Sequence, residues 1–338
     1  MMIREILVEP QHIAWLPWAV SYFFFAGIAT TAVLSALAMR IFKQATLQQE
    51  LIAVAIALSC AVVAPIALMA DLHQPTRFWH LFTVATYWSW MWWGAYILPS
   101  FIIALFGYFL FLFRQVRSKT TYFSGFALNT FRILALLTSV LMLLYTCMEV
   151  YKVETRPLWH HHWLMPLIVF SALPTTALLI KENIQLRTKQ SLNYLRRWAL
   201  VGLLFFASSV VGLVLSKGET ALQFTQLYNQ NSLSFFTALL AVAMVFSGFI
   251  PSFALRMGLT VLFGIAFTWS VRWILLIQVQ SIAKYNALAN PYSLEWNADG
   301  VLGIVAMIGL WSLVSVVIWQ VLNTTEANML QSKECYDE

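Results

Sequence analysis

The sequence predicts an all-α integral membrane protein with about nine transmembrane helices, and three observations carry that prediction. Mean hydropathy is +0.75, with 61% of residues hydrophobic and only 10% charged, which excludes an ordinary soluble domain. Nine separate stretches approach the roughly 20 apolar residues that a helix needs to cross the hydrocarbon core. None of them shows the two-residue alternation of a membrane strand. Lipid satisfies no backbone donor, so helices are the spanning form that remains.

In order, the apolar stretches cover 17–40, 51–70, 88–113, 131–150, 163–180, 198–216, 235–255, 257–279 and 301–322. Arg4, Glu5 and Glu9 precede the first, and that run is as long as a true span. It therefore reads as its own insertion signal rather than a cleavable leader. The stretches at 163–180 and 198–216 are short, so their ends are the least sharply defined. After 322 the chain turns to Ser, Thr and charged residues, read as a disordered tail over 323–338. No long linker or low-complexity segment interrupts the series, which predicts a single membrane domain over 1–338. Cys60, Cys147 and Cys335 lack Cys-x-x-Cys spacing, so the chain is expected to carry no iron–sulfur cluster.

Charge orients the bundle. Thirteen of the 20 Lys and Arg residues fall on one side of the alternating connections, with the excess in the short loops at 114–130 and 181–197. The positive-inside rule makes that side cytoplasmic, leaving the amino terminus outside (periplasmic) and the carboxyl tail inside. All six histidines then lie outside, with Asp71, Glu154, Glu219, Glu295 and Asp299. No histidine lies within a span, which argues against a transmembrane haem. A net charge of +6 on such a chain follows membrane topology and says nothing of nucleic acid. No phosphate loop, zinc-helix motif or dinucleotide fingerprint is present.

The densest polar stretch is Asp71-Leu-His73-Gln-Pro-Thr-Arg77-Phe-Trp-His80, between two spans at the outer boundary. Trp18 and Tyr22 stand at i, i+4 near the start of the first span, and Tyr145 and Glu149 do so at the end of the fourth. Arg156, Trp159 and His160–His162 follow in the next loop. Such a place suits a small apolar molecule with two oxygens that exchange protons and electrons, and quinol meets that description. The quinol-binding candidates are Trp18, Tyr22, Asp71, His73, Arg77 and Tyr145; Asp71, Glu149 and Arg272 are proton-relay candidates. Each has a plainer reading. Trp15 and Trp18 suit interfacial anchors, Tyr22 and Tyr145 suit packing, Asp71 suits a loop-fixing pair with Arg77, and Glu149 suits an ion pair with Arg272. Consecutive histidines rarely form a designed metal site, so no metal is expected.

At these residues the sequence resembles the NrfD/polysulfide reductase family of membrane subunits. The resemblance rests on Asp71-Leu72, Pro75 and Arg77-Phe78-Trp79, on Ser89-Trp-Met91-Trp-Trp-Gly94, and on Tyr22-Phe-Phe-Phe-Ala-Gly27. Tyr145-Thr146 and Arg156-Pro-Leu-Trp159 extend it, as do Arg272-Trp-x-Leu-Leu-Ile-Gln-Val-Gln280 and Asn290-Pro-Tyr-Ser-Leu294, which point to the tetrathionate-reducing branch. It implies two four-helix bundles plus one extra helix. It also implies a membrane anchor in the bacterial inner membrane that oxidises menaquinol or ubiquinol. Electrons would pass to a periplasmic ferredoxin-like iron–sulfur subunit and then to a molybdopterin subunit that reduces tetrathionate or a related sulfur compound. Tyr22, Asp71, Arg77 and Tyr145 match the family's quinone ligands. Some relatives carry histidine where Tyr22 stands, which makes His73 a substitute proton acceptor. Two other classes stay open: a transporter of small anions, for which no charged midplane residue accompanies the helix prolines, and a structural anchor without a quinone site.

Overall fold

The computed structural model describes residues 13–42, 44–72, 74–84, 86–117, 122–230, 232–282 and 292–337, and every regular element among them is helical. The helices are α1 (Pro17–Ile41), α2 (Leu47–Asp71), α3 (His80–Thr83), α4 (Trp90–Arg117), α5 (Tyr122–Tyr151), α6 (Leu164–Thr188) and α7 (Asn193–Val214). There follow α8 (Glu219–Gln230), α9 (Ser232–Ser247), α10 (Phe253–Trp273), α11 (Val279–Ser281) and α12 (Val301–Asp337). His73 and His12 lie outside the described residues.

Local chemistry sets the helix ends. Pro17 occupies the first turn of α1, where its missing N–H costs nothing. A capping box starts α2: Gln49 N donates to Thr46 Oγ1 (3.4 Å) and Thr46 N donates to Gln49 Oε1 (3.0 Å). Lys189 ends α6 in the left-handed region at φ 57°, its N–H donating to Gln185 O.

Antiparallel neighbours pair as α1 with α2, α4 with α5, α6 with α7 and α9 with α10, building two four-helix bundles joined mainly through α1, α6 and α10. Within lipid no hydrophobic gain drives helices together, so small residues and interhelical hydroxyl bonds do that work. Thr31 and Thr176 meet at 2.8 Å, Thr175 donates to Gly264 O at 2.7 Å, and Thr268 donates to Ser171 O at 2.9 Å. The extra helix α12 packs on α2 and α1, where Trp311 Nε1 donates to Ser59 Oγ at 3.2 Å.

Eight described helices are long and apolar enough to span a membrane, and a ninth follows if the bent pair α8–α9 counts as one span. The chain is a multi-pass membrane protein. Three expected boundaries differ. The apolar run at 235–255 holds a helix that stops at Ser247, because Pro251 cannot continue it and Ser252 opens α10. The flanking Phe249, Ile250 and Phe253 are apolar, so hydropathy alone runs through that turn. The fourth span starts at Tyr122 rather than 131. The tail continues as helix to Asp337 rather than as irregular chain.

Candidate functional site

One group of polar side chains in the first bundle lies at the face where α1 begins, called here the near face. Tyr22 on α1 is fully buried and Tyr145 on α5 is 2% exposed. The two phenols lie side by side, with Glu149 one turn beyond Tyr145 on the same side of α5. Asp71, the last residue of α2, lies within electrostatic range of Glu149 and accepts a hydrogen bond from Leu16 N at the start of α1 (3.3 Å). A carboxylate at a helix amino terminus is stabilised by the helix dipole. Tyr22 Oη and Glu149 Oε2 are both shielded from solvent and neither has a hydrogen-bond partner. A buried polar atom left so costs about 1–3 kcal/mol.

A cavity of about 160 Å³ ends at Tyr145. Its walls come from α2 (Leu68, Met69), the start of α4 (Met91, Gly94) and the connection between them (Phe78, Phe82). Met69, Phe78, Phe82 and Met91 are also exposed on the outside of the bundle, so the cavity opens sideways, where lipid would lie. An apolar cavity of about 150 Å³ accepts one benzene-sized ring. Gly94 explains the spacing of the Ser89…Gly94 motif: a Cβ there would overlap Cζ, Cε2 and Oη of Tyr145. The missing side chain lets the phenol lie against α4.

The other predicted residues are placed elsewhere. Trp18 turns to the chain at the start of α12: its Nε1 donates to Asp299 Oδ1 at 3.2 Å, just before that helix, and its ring fills the space over Gly303 within it. Arg77 sits exposed in the 3₁₀ turn Pro75–Arg77. Arg272 does not pair with Glu149. It is 1% exposed between the bundles, donating to Ile168 O (2.7 Å), Ser171 Oγ (3.0 Å) and Phe23 O (3.4 Å). Gly27 leaves room for its guanidinium. These acceptors are on other helices, which spacing along one helix cannot reveal. His80 is exposed, against Trp79. His160 bonds Tyr151 O while His161 and His162 stack on each other, and no cluster of three or more potential metal ligands occurs among the described residues. His161 titrates lower than an ordinary histidine because of burial and its neighbour His162.

A clamp that the residue pattern did not announce fixes the near face. Arg156, buried in the α5–α6 loop, donates to Val279 O, Gln280 O and Ile282 O, capping the carbonyl end of α11. Burial lowers the pKa of its guanidinium. Between α10 and α11 the chain forms a π-helical turn, Ile274–Gln278, and Trp159 Nε1 donates to Leu275 O within it at 2.7 Å. Trp159 in turn stacks on Trp15, and Gln280 Oε1 accepts from Ala14 N and Trp15 N. The second bundle thus holds the start of α1, the helix that carries Tyr22.

Comparison with known proteins agrees with the motifs. The family described as "Polysulphide reductase, NrfD" matches residues 7–284. The chain belongs to the NrfD family. This NrfD chain is also similar to a tetrathionate reductase subunit of Salmonella typhimurium, 36% identical over 334 residues that cover 96% of each chain.

Proposed function

We propose that this NrfD-family chain is the quinol-oxidising membrane anchor of a molybdopterin and iron–sulfur reductase, serving reduction of tetrathionate or a related sulfur compound. The observation that carries the reading is the sideways cavity that ends at Tyr145, with the unpartnered Tyr22 Oη and Glu149 Oε2 behind it. The quinol ring, of menaquinol or ubiquinol, enters from lipid between α2 and α4. Tyr145 holds one hydroxyl and Tyr22 orients the phenol of Tyr145. Glu149 takes the two hydroxyl protons in turn, and Asp71, at the rim of the same cluster, hands each to the aqueous phase at the near face. Oxidation releases two protons and two electrons. The electrons go to a ferredoxin-like iron–sulfur subunit docked on that face and on to a molybdopterin subunit.

The near face is then periplasmic, the tail cytoplasmic, and the membrane the bacterial inner membrane. Protons and electrons leave on one side, so the step moves no charge across the membrane. Of the relay candidates named from the sequence, this reading makes Glu149 the first acceptor and Asp71 the next.

Quinol-dependent turnover of the intact complex, wild type against Tyr145→Phe and Asp71→Asn, tests the site. Both variants are expected to lose turnover. Unchanged turnover with unchanged binding of a quinone-site inhibitor in both would sink the assignment. Gly94→Ala supplies a second check. Pushing the phenol off α4 is expected to lower kcat/KM by about 10²-fold, the usual effect of misplacing a reacting group by an ångström or so. Combined with Tyr145→Phe it should add less than it costs alone, since both act through one hydroxyl. Full additivity would show that Gly94 serves packing only.

A further inference from the structure

A larger cavity than that at Tyr145 lies in the second bundle. About 500 Å³ opens between α7 (Leu213), α8 (Phe224, Leu227), α9 (Thr237) and the end of α10 with its π turn (Val271, Leu275). Its position repeats that of the cavity in the first bundle. Each lies at the near face, between the end of a bundle's second helix (α2 or α7), the segment after it (74–84 or α8), the start of the third helix (α4 or α9) and the end of the fourth (α5 or α10).

The chemistry does not repeat. Where α5 presents Tyr145, the end of α10 and its π turn present Val271, Ile274 and Leu275. The hydroxyls of Thr225 and Thr237 are turned back to Ala221 O and Leu233 O of their own helices. Tyr228 and Ser234 add two hydroxyls to the wall, and the rest of the lining is aliphatic or aromatic, which suits a hydrocarbon chain better than a quinone ring. The volume falls within the about 300–1,000 Å³ of small-ligand sites. Val214 and Tyr228, on its walls, are exposed at the bundle surface, so the cavity is entered from lipid. Lys217, exposed in the turn between α7 and α8, puts a cation three residues beyond Val214 at the membrane boundary. Gln223 Oε1 accepts from Leu158 N (3.4 Å), tying α8 to the α5–α6 loop beside the cavity.

We propose that this cavity binds one acyl chain of an anionic phospholipid, whose phosphate lies by Lys217. The second bundle thus keeps the shape of a lateral lipid site without the groups for redox chemistry. The chain fills the space against the π turn whose carbonyl holds Trp159. This reading is independent of quinol oxidation in the first bundle.

The test uses the intact complex in nanodiscs containing phosphatidylglycerol with a photoreactive group on its acyl chain. Crosslinks are expected on residues 224–238 and 271–279. After detergent delipidation, native mass spectrometry is expected to find one phosphatidylglycerol retained. Ala238→Trp, which fills the cavity mouth, should lower that retention at least tenfold with quinol turnover unchanged, and Lys217→Gln should lower it at least threefold. Should Ala238→Trp not assemble, the wild-type crosslink map alone decides. Crosslinks confined to other surfaces, equal retention in the variants, or recovery of an isoprenoid quinone from this cavity would each overturn the proposal.

Discussion

Replacing Glu149 with glutamine is expected to lower quinol turnover by about 10²–10⁴-fold, the usual contribution of a positioned general base. The substitution keeps the size and hydrogen-bonding capacity of the side chain next to Tyr145 and removes only the ability to take a proton. Inhibitor binding at the cavity should therefore survive, which separates loss of chemistry from loss of the site. Asp71→Asn should cost less than Glu149→Gln, because Asp71 is partly exposed, accepts from Leu16 N and acts after the transfer. The reverse order would return the acceptor role to Asp71. Turnover of Glu149→Gln within about threefold of wild type would show that the proton leaves by another route.

The second large effect is on stability and lies at the opposite face. Glu50, 1% exposed, accepts from Arg132 Nε (2.8 Å) and Nη2 (2.9 Å) and from Tyr108 Oη (2.6 Å), tying α2, α4 and α5 together. The fork geometry of guanidinium on carboxylate makes this a strong charge-assisted pair. Removing one partner strands a buried charge, so Glu50→Leu or Arg132→Leu is expected to destabilise the first bundle by about 3–5 kcal/mol. The double variant should recover most of that loss, because two apolar side chains replace the pair without leaving either charge unpaired. Thermal unfolding of the purified complex measures both. A double variant as unstable as the sum of the singles would mean that the pair itself, not avoidance of a stranded charge, stabilises the bundle.

Part of the site is legible in the amino-acid pattern. Tyr145 and Glu149 stand four residues apart on one long apolar stretch, and helical periodicity alone puts them on one side. Asp71 and Tyr22 are legible as polar groups at the ends of spans. The partners of Trp18 and Arg272 are not legible in the pattern, since each depends on which neighbour its helix meets. Trp18 faces Asp299 and Gly303 near the far end of the chain, and Arg272 meets carbonyls of α1 and α6. Gly94 is visible as a motif position without a purpose, because the ring it makes room for belongs to another helix.

Hydropathy is enough to require helices and nearly enough to count them, since lipid offers the backbone no other way to satisfy its polar groups. It overruns only where apolar residues flank a turn, at Phe249–Phe253, because a turn at a membrane face can be as greasy as a helix. Packing alone decides which polar atoms lack partners. Whether Tyr22 Oη or Glu149 Oε2 is satisfied depends on side chains brought from separate helices, and a linear pattern carries no record of that geometry. The same holds for the two cavities. Each is the gap left where four helix ends and a connecting segment fail to fill space, so its volume and its opening toward lipid exist only once the bundles have closed.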